Sequence, residues 1–542
     1  MVDASDSPYS VVHRDVTPHR VVFPRRYNAA VDFIDRHVDE GRRDRLAYRD
    51  DRTSVTYGAL AERVCRAGNA LKGLGVRQED RVMLCALDTI DFVAVFWGAI
   101  KIGAVPVPVN TLLTPEDYAF FLQDSRARAL VVSDVLCPKV AAGFRASPFA
   151  RHLVVASTPM GPSSDGEPIP ASASRLEALL DAASPELVAA ATTADDIALW
   201  LYSSGSTGSP KGALHLHSHL VQTAVLYGES VLGIRPDDVV FSAAKLFFAY
   251  GLGNAMTFPL HVGATAVLMA ERPTVTSVLR ILSEHRPTIF GGVPTLYASM
   301  LADPRVVDAA RGANLRCSIS AGEALPKHIG DRWRECFGTD ILDGIGSTEM
   351  LHIFLSNRHG QVRYGTTGKP VPGYTLKLVG DDGETVADGE EGSLWVSGPS
   401  AAAGYWNQRE RSLATFHGPW TRTGDRYVRD GDGYYTYSGR ADDMLKVGGI
   451  WVSPFEVESA LTAHDVVLEA AVVGHPDADE LVKPKAFVVL CEGQRPSPEL
   501  AAELQAFVKG KLAPYKYPRW IEFVADLPKT ATGKIQRFRL RA

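Results

Sequence analysis

Residues 202–212, with the sequence Tyr-Ser-Ser-Gly-Ser-Thr-Gly-Ser-Pro-Lys-Gly, constrain the fold of this chain more than any other segment. The apolar residues 197–201 come directly before them and are predicted to form a buried strand. Glycines let the backbone turn sharply and approach a ligand, and turned N–H groups with hydroxyls form a concave anion site. The pattern therefore predicts a phosphate-binding turn after a strand, with Lys211 as its positive charge.

This segment differs from the ordinary phosphate loop of NTPases. That loop requires a glycine, four further residues, and then Gly-Lys followed by Ser or Thr. Here Pro210 precedes the lysine, and Gly212 stands where the metal-binding hydroxyl would be. A flexible Ser/Gly linker is the alternative, and the strand directly before so dense a cluster argues against it.

Length and composition indicate a globular protein of more than one domain. A chain of 542 residues exceeds what one core supports, and 46% hydrophobic with 22% charged residues is ordinary for folded proteins. The net charge of −6 gives no reason to expect nucleic acid or an anionic membrane as a partner. No apolar run of about 18 residues is present, so no membrane-spanning helix is expected.

The six cysteines are scattered without C-x-x-C spacing. They are expected to be reduced thiols of a cytoplasmic protein, and neither a disulfide framework nor a zinc site is predicted. The N-terminus mixes Asp, Arg and His without an apolar core, which is not the pattern of a signal peptide.

Strand-like and helix-like segments alternate in the first part of the chain. From Thr56, a predicted N-cap, apolar residues recur at helical spacing and stop at Gly75. Residues 81–86 and 104–109 are predicted strands, with a helix over residues 90–102 between them. This alternation predicts a mainly parallel sheet covered by helices, and hence an α/β fold.

Three histidines, His215, His217 and His219, alternate along the chain just after the glycine-rich segment. On one strand face they could bind a metal ion. The segment is predicted to leave a strand and enter a helix, and no fourth ligand is evident. Packing roles are therefore favoured over a metal site.

The last hundred residues predict a compact α+β lobe. The predicted helices are residues 454–461 and 498–512, and the predicted strands are residues 468–473, 486–490 and 520–524.

Several segments, in chain order, resemble the signature motifs of adenylate-forming enzymes, the superfamily of acyl-CoA synthetases, peptide-synthetase adenylation domains and luciferases. They are residues 202–212, 245–254, 318–324 (Ser-Ile-Ser-Ala-Gly-Glu-Ala), 343–349 (Asp-Gly-Ile-Gly-Ser-Thr-Glu), 420–425 (Trp-Thr-Arg-Thr-Gly-Asp) and 528–537. The resemblance covers almost the whole chain. It implies a large multi-sheet N-terminal domain, residues 1–441, and a small mobile α+β C-terminal domain, residues 442–542, with Asp442 as the hinge.

The same resemblance assigns the nucleotide site. The glycine-rich segment would hold pyrophosphate, the turn at 318–324 would contact adenine, and Asp425 with Arg440 would hold the ribose hydroxyls. The implied nucleotide-binding residues are Ser203, Ser204, Gly205, Ser206, Thr207, Gly208, Lys211, Gly322, Glu323, Ala324, Asp343, Gly344, Ile345, Asp425 and Arg440.

Four residues are implied to take part in the chemistry. Thr348 offers a hydroxyl to phosphate, and Glu349 offers a hard oxygen ligand for Mg²⁺. Lys534 would bridge the acid's carboxylate and the α-phosphate in the first step. After rotation of the C-terminal domain, Lys446 and the glycines at 448–449 would lie on the path of the attacking thiol.

The wording Phe-Phe-Ala-Tyr-Gly-Leu-Gly at 247–253 resembles that of benzoate-CoA and 4-hydroxybenzoate-CoA ligases. The resemblance implies an aryl pocket lined by Ala249, Tyr250, Gly346, His352 and Ile353. Gly346 would leave space beside a planar ring, and His352 would be the polar group able to meet a ring substituent. The alternative is that His352 only packs within a helix after Glu349.

The function implied is that of an ATP-dependent aryl-CoA ligase of the benzoate-CoA ligase type. Such an enzyme forms an acyl-adenylate from an aromatic carboxylic acid and then the CoA thioester, releasing AMP and pyrophosphate. ATP, Mg²⁺, CoA and a small aromatic acid are thus the expected ligands, and a homodimer is the assembly considered. The alternatives are a stand-alone aryl adenylation enzyme that loads a carrier protein, a CoA ligase for a different carboxylic acid, and a non-catalytic adenylate-binding sensor.

Overall fold

The structure is a computed structural model of the chain. It describes residues 7–162, 170, 172–205, 208–440, 443–447, 450–477, 482–512, 516–529 and 535–541. The strands are β1 (Val11–His13), β2 (Arg20–Val22), β3 (Leu46–Arg49), β4 (Ser54–Thr56), β5 (Arg81–Cys85), β6 (Val105–Pro108), β7 (Ala129–Ser133), β8 (His152–Ala156), β9 (Ser174–Arg175), β10 (Ile197–Gly205), β11 (Gly208–Leu216), β12 (Val239–Ser242), β13 (Thr265–Val267), β14 (Ile289–Gly292), β15 (Cys317–Ser320), β16 (Ile341–Gly346), β17 (Ile353–Ser356), β18 (Lys369–Pro370), β19 (Thr375–Val379), β20 (Glu391–Ser397), β21 (Phe416–His417), β22 (Trp420–Arg429), β23 (Tyr435–Arg440), β24 (Leu445–Val447), β25 (Ile450–Val452), β26 (Val467–Pro476), β27 (Val482–Leu490) and β28 (Trp520–Phe523).

The α-helices are α1 (Arg36–Asp39), α2 (Tyr57–Gly73), α3 (Ile90–Lys101), α4 (Pro115–Ser125), α5 (Cys137–Ala146), α6 (Leu176–Ala182), α7 (His217–Thr223), α8 (Ala249–Leu252), α9 (Phe258–Val262), α10 (Val275–His285), α11 (Pro294–Ala302), α12 (Val306–Gly312), α13 (Lys327–Phe337), α14 (Arg409–Thr415), α15 (Pro454–Thr462) and α16 (Pro498–Lys511). Short π-helical segments span Val31–Asp35, Ala224–Glu229 and Gly253–Thr257, and 3₁₀ turns span Asp134–Leu136, Thr348–Met350 and Arg537–Leu540.

A parallel five-stranded sheet with the order β6-β5-β7-β8-β9 is built from the first half of the N-terminal region. Helix α2 begins where the sequence predicts it, because the Thr56 hydroxyl accepts a hydrogen bond from the N–H of Ala59 at 3.3 Å. Helices α2 and α3 pack together at two glycines, Gly68 and Gly98. The predicted α/β alternation is confirmed in this part of the chain.

The second large sheet has nine strands in the order β18-β17-β16-β15-β14-β12-β13-β3-β4. Strands β16, β15, β14, β12, β13 and β3 run parallel, while β17, β18 and β4 are added antiparallel at the edges. In open α/β sheets, ligands bind beyond the carboxyl ends of parallel strands. The segments after β15 and β16 carry predicted site residues.

The glycine-rich segment lies within an antiparallel hairpin, β10 and β11, which we call the signature hairpin. Residue pairs along it include Trp200 with Leu214 and Ser203 with Lys211. The sequence predicted a strand only as far as residue 201, because glycine and serine have low intrinsic preference for strands. Cross-strand pairing overrides that preference, so Lys211 lies on a strand and not in a free loop.

A smaller antiparallel sheet follows, with β19-β20-β22-β21 and with β23 paired to β22. The pairing of β22 with β23 sets Asp425 directly opposite Arg440.

The C-terminal lobe, which we define as residues 443–541, contains the hairpin β24–β25 and the sheet β26-β27-β28 with helices α15 and α16. Its apolar side chains, among them Val457, Val472 and Leu504, form a core separate from that of the N-terminal region. The predicted α+β lobe is thus confirmed. The boundary itself, between residues 441 and 442, lies outside the described residues and stays a prediction.

In the described ranges, no helix combines the length and apolar character needed to span a bilayer.

Packing of α2 against α3 provides a test of the fold. A Cβ atom on Gly98 would lie 2.7 Å from the backbone nitrogen of Gly68 and 2.9 Å from Cβ of Ala67. Because backbone cannot yield as a flexible side chain does, Gly98→Ala is expected to cost about 1–3 kcal/mol of stability. The measurement is the Tm of purified protein by scanning calorimetry.

The matched control is Gly73→Ala in the same pair of helices. A Cβ atom at Gly73 meets no described atom within 4 Å, so this change is expected to leave Tm unchanged or to raise it slightly. An equal fall of Tm in both variants would show that close helix packing is not the cause.

Candidate active site

A cavity of about 660 Å³ opens where the signature hairpin, the end of β16, the β22–β23 pair and the C-terminal lobe meet. The predicted site residues that line it are Ser203, Lys211, Gly322, Glu323, Ala324, Asp343, Gly344, Ile345, Gly346, Glu349, Asp425 and Arg440. These residues come from segments far apart in the chain. The structure therefore brings most of the predicted nucleotide-binding set together in one place.

Glu349 lies at one end of this main cavity. Its Oε1 accepts a hydrogen bond from the Tyr405 hydroxyl at 2.7 Å and lies 3.7 Å from Nζ of Lys211 and 3.5 Å from Oγ of Ser203. Burial raises the pKa of Glu349, but Lys211 and the Tyr405 hydrogen bond together lower it below its ordinary value. The carboxylate therefore stays ionised and is available as a hard oxygen ligand.

Lys211 reaches the same end of the cavity from β11. Its Nζ donates to the hydroxyl of Tyr405 at 3.2 Å and lies 4.7 Å from the centre of that ring. The ammonium is thus held at the cavity wall by a hydrogen bond and a cation–π contact.

Thr348 begins a 3₁₀ turn directly before Glu349, and its carbonyl accepts a hydrogen bond from Nε2 of His215 at 2.7 Å. Nδ1 of His215 lies 3.1 Å from Nδ1 of His219, while His217 accepts through Nδ1 from the N–H of Ala29 at 3.0 Å. Burial lowers the pKa of His215 to about 4 and likewise that of His217. His215 therefore supports the turn as a neutral side chain, and His217 is a neutral acceptor for the backbone at Ala29.

The metal hypothesis for the three histidines finds no support in the structure. Among the residues described, no three His, Cys, Asp or Glu side chains are arranged to hold a metal ion.

Asp425 and Arg440 also line the main cavity. Nη1 of Arg440 lies 3.3 Å from Oδ1 of Asp425, which is 7% exposed. Gly424 has a φ of +79°, and a Cβ atom there would lie 3.0 Å from Nη2 of Arg440. Glycine at 424 therefore meets both a backbone and a packing requirement beside the carboxylate.

Gly344 and Gly346 permit a close approach of two strands. A Cβ atom on Gly346 would lie 2.5 Å from the carbonyl oxygen of His352, and one on Gly344 would lie 2.9 Å from Cγ2 of Ile353. The space left by these missing side chains is filled by β17 and the residue before it. Asp343 is buried next to Gly344, and burial raises the pKa of its carboxyl well above the ordinary value.

Of the predicted aryl-pocket residues, Gly346 lines the main cavity, whereas Ala249, His352 and Ile353 are not among its lining residues. Ala249 and Tyr250 open α8, and the Tyr250 hydroxyl lies 3.0 Å from the carbonyl oxygen of Ile319 and 3.1 Å from that of Gly292. Tyr250 also lines a second cavity of about 310 Å³, which shares Gly322 and Glu323 with the first.

His352 is 3% exposed and donates through Nε2 to the carbonyl of Tyr250 at 3.2 Å. Its ring lies against Phe258, Tyr227 and Tyr250, with centroids 4.5, 5.2 and 5.8 Å away. Burial lowers the pKa of His352 to about 3, so the imidazole is neutral. Nδ1 has no hydrogen-bond partner among the described residues and is left as an acceptor.

The alternative that placed His352 in a helix after Glu349 is wrong. Only the 3₁₀ turn Thr348–Met350 follows, Leu351 takes a left-handed φ of 63°, and β17 begins at Ile353. The left-handed residue reverses the chain and directs His352 away from solvent.

Several predicted residues cannot be located. Ser206, Thr207, Asp442 and Lys534 lie outside the described residues, as do the side chains of Ser204 and Lys446. Nearby, the N–H of Ile535 donates to Oε1 of Glu323 at 3.2 Å, and Arg537 lines the main cavity. The described C-terminal segment therefore contacts the predicted adenine-binding turn.

Tyr405 and Arg537 line the main cavity but were not predicted as site residues. Tyr405 follows glycine in the segment Ala-Gly-Tyr-Trp at 403–406, which carries no charge or hydroxyl cluster that would have marked it. Arg537 could have been suspected from its place in the basic C-terminal segment.

Comparison with known proteins places this geometry in context. Residues 34–406 match the AMP-binding enzyme family, and residues 456–534 match the AMP-binding enzyme C-terminal domain. The benzoate–CoA ligase of Thauera aromatica is 58% identical over 98% of this chain and 99% of its own length. The 4-hydroxybenzoate–CoA/benzoate–CoA ligase of Rhodopseudomonas palustris is 52% identical over 95% of this chain and 94% of its own.

Solved structures give the same result. A benzoate CoA ligase from Burkholderia xenovorans LB400 superposes with a TM-score of 0.87 at 54% identity, covering 95% of this chain and 100% of that one. The anthranilate CoA ligase AuaEII in complex with anthranoyl-AMP superposes with a TM-score of 0.90 at 44% identity, covering 96% and 97%. The chain therefore belongs to the AMP-binding enzyme family, and its predicted resemblance to adenylate-forming enzymes of the benzoate-CoA ligase type is confirmed.

Proposed function

We propose that this protein is an ATP-dependent aryl-CoA ligase that acts on benzoate and uses ATP, Mg²⁺ and CoA. The observation that carries the proposal is that one cavity is lined both by the Lys211–Glu349 pair and by the Asp425–Arg440 pair. Phe258, Tyr227 and Tyr250 surround the buried His352 ring. The names of the relatives at 58% and 52% identity support the same activity.

A carboxylate is negative and has no good leaving group, so a thiol does not attack it directly. In the first step an oxygen of the acid attacks the α-phosphate of ATP, and pyrophosphate leaves. Because charge builds on phosphoryl oxygens, catalysis is a matter of positioning and electrostatics. Lys211 and Ser203 would hold the leaving pyrophosphate, and Lys534 would neutralise charge at the α-phosphate.

The residues present fit a Mg²⁺ ion. Mg²⁺ is commonly bound by one or two protein carboxylates and completed by substrate phosphates and water. The ionised carboxylate of Glu349, which lines the cavity, is such a ligand, and the hydroxyl of Thr348, the preceding residue, is proposed to contact phosphate. The ion would neutralise phosphate charge when bound.

Asp425 is suited to the ribose. An ionised carboxylate accepts hydrogen bonds from two vicinal hydroxyls, and Arg440 at 3.3 Å orients it. The turn that contains Gly322, Glu323 and Ala324 lines the same cavity and would contact the adenine ring.

In the second step the CoA thiol attacks the acyl-adenylate and AMP leaves. We propose that the C-terminal lobe rotates at Asp442 between the two steps, which would withdraw Lys534 and bring Lys446 to the thiol's path. The separate apolar core of the lobe supports rotation as a rigid body.

The aryl ring is proposed to lie against Ala249, Tyr250, Gly346, His352 and Ile353. His352 is neutral, and its Nδ1 can accept a hydrogen bond from a hydroxyl or amino substituent on the ring. A homodimer and a cytoplasmic location are also proposed. Six unpaired cysteines support a reducing compartment, and light scattering after gel filtration tests the assembly.

The experiment that tests the function is AMP release measured with a panel of benzoates and straight-chain acids, with and without CoA. Benzoate should outcompete the straight-chain acids, and release should require free CoA. Release with a carrier protein and not with CoA would favour the stand-alone adenylation enzyme. Failure of acid-dependent pyrophosphate exchange into ATP would favour the non-catalytic sensor.

The proposed role of Lys534 separates the two half-reactions. Lys534→Ala is expected to slow adenylation by roughly 10²- to 10³-fold, as for removal of a positioned transition-state charge. Conversion of preformed benzoyl-AMP to the thioester should largely survive. Pyrophosphate exchange and thioester formation are measured on the same preparation.

Lys485→Ala is the matched control, because Lys485 is another lysine of the C-terminal lobe and pairs with Glu522 at 2.9 Å, away from the cavity. It should leave both half-reactions unchanged. An equal loss of both half-reactions in folded Lys534→Ala would refute the assigned role.

The aryl pocket is tested by changing its size and polarity. Ala249→Val should exclude substituted benzoates first, and His352→Ala should change the ranking among ring-substituted acids while the ATP requirement persists. Single pocket contacts alter kcat/KM by about 10- to 200-fold. If neither variant changes the ranking of acids, these residues do not line the substrate site.

A further inference from the structure

We propose that Tyr405 is a positioning residue whose hydroxyl stands between Lys211 and Glu349 and keeps both charges available to the nucleotide. This inference rests on the proposed roles of Lys211 and Glu349. It adds a third residue that no sequence pattern indicated.

The Tyr405 hydroxyl can donate one hydrogen bond and can accept others through its oxygen lone pairs. It donates to Oε1 of Glu349 at 2.7 Å and accepts from Nζ of Lys211 at 3.2 Å. The two charged atoms themselves are 3.7 Å apart, which is longer than a direct hydrogen bond. The Tyr405 hydroxyl therefore bridges the ammonium of Lys211 and the carboxylate of Glu349, and both of its hydrogen bonds are charge-assisted.

The backbone of Tyr405 is joined to the same strand that carries Lys211, and its ring packs against Phe416 with the ring centres 5.3 Å apart. Tyr405 pairs with Ala213 of β11 in an antiparallel bridge, and the next residue, Trp406, donates its N–H to the carbonyl of Gly212 at 2.9 Å. The Tyr405 N–H donates to Oγ of Ser412 at 2.9 Å, and the residue is 5% exposed. The hydroxyl is therefore fixed relative to Lys211 and does not need to be ordered when a ligand binds.

Removing the hydroxyl should let the two opposite charges move together. A Lys211–Glu349 contact shorter than the present 3.7 Å ion pair would draw the ammonium away from the phosphates and would occupy the carboxylate oxygen that should meet the metal ion. Preorganised charges are worth most where they face charge that develops in the reaction. Tyr405 should thus matter for nucleotide binding and adenylation, and not for attack by the thiol.

The test is Tyr405→Phe, which keeps the ring and its packing and removes one oxygen atom. Three results are expected: a loss of roughly 10- to 100-fold in kcat/KM for ATP in pyrophosphate exchange, as for a hydrogen bond to a charged group; a higher Mg²⁺ concentration for half-maximal exchange; and weaker binding of metal-free ATP, measured by calorimetry in EDTA. Thioester formation from preformed benzoyl-AMP should stay within about twofold of the unmodified protein. The hydrogen bonds of Tyr405 position Lys211 and Glu349, and the proposed roles of these two residues belong to the adenylation step only.

Tyr57→Phe is the matched control. The hydroxyl of Tyr57 is also buried and donates to the carbonyl of Ala264 at 2.7 Å, but it does not line the main cavity. This variant should leave all four measurements unchanged. Tm is measured for both variants, so a loss that follows Tm in both would mark a structural effect and overturn the proposal.

Two further variants separate this proposal from the assignment of the site. Unchanged exchange in Glu349→Gln would refute the role of Glu349 itself. Impaired Glu349→Gln with unimpaired Tyr405→Phe would overturn only the positioning role. In a Lys211→Met background, Tyr405→Phe should add little further loss, whereas full additivity would show that Tyr405 does not act through Lys211.

Discussion

The close approach of β16 and β17 at Gly346 is the constraint on which the rest of the site depends. No side chain fits there, because a Cβ atom would lie 2.5 Å from the carbonyl oxygen of His352. Between the two strands the chain makes one 3₁₀ turn and one left-handed residue, Leu351. That reversal sets Glu349 toward the main cavity and His352 into the apolar interior, three residues apart. The spacing between Glu349, which is proposed to serve the phosphates, and His352, which is proposed to face the ring, therefore follows from a few backbone angles.

The surroundings of Glu349 and of His352 differ in the charge state that they stabilise. Around Glu349 a lysine and a phenol offset the cost of burial, so the carboxylate remains ionised. Around His352 three aromatic rings and a single carbonyl offer little to stabilise a cation, so the imidazole remains neutral. A polyanion and a planar apolar ring can thus be bound side by side, because charged groups surround Glu349 and uncharged groups surround His352.

The sequence predicted the elements whose signals are local. Helix α2 begins directly after Thr56, whose hydroxyl accepts a hydrogen bond in the first turn, and strands β26, β27 and β28 lie where apolar runs indicated. The hairpin β24–β25 was not predicted. The hairpin β10–β11 extends further than predicted because its stability comes from pairing across strands, which composition does not report. The helix that one alternative placed around His352 is absent because Leu351 takes a left-handed φ and β17 begins at Ile353. The hydroxyl of Tyr405 contacts Glu349 and Lys211, which lie 56 and 194 positions away from it in the sequence. No local pattern could reveal those partners.

The hydrogen bond from Ile535 to Glu323 joins the C-terminal segment to a turn that lines the main cavity. Contacts of this kind connect two equilibria, the position of the lobe and the occupancy of the cavity. Thermodynamic linkage makes the connection reciprocal: a ligand that favours this position of the lobe is itself bound more tightly when the lobe is already there. Affinity for nucleotide is therefore a property of the pair of domains, and a change in the lobe far from any ligand atom can alter it.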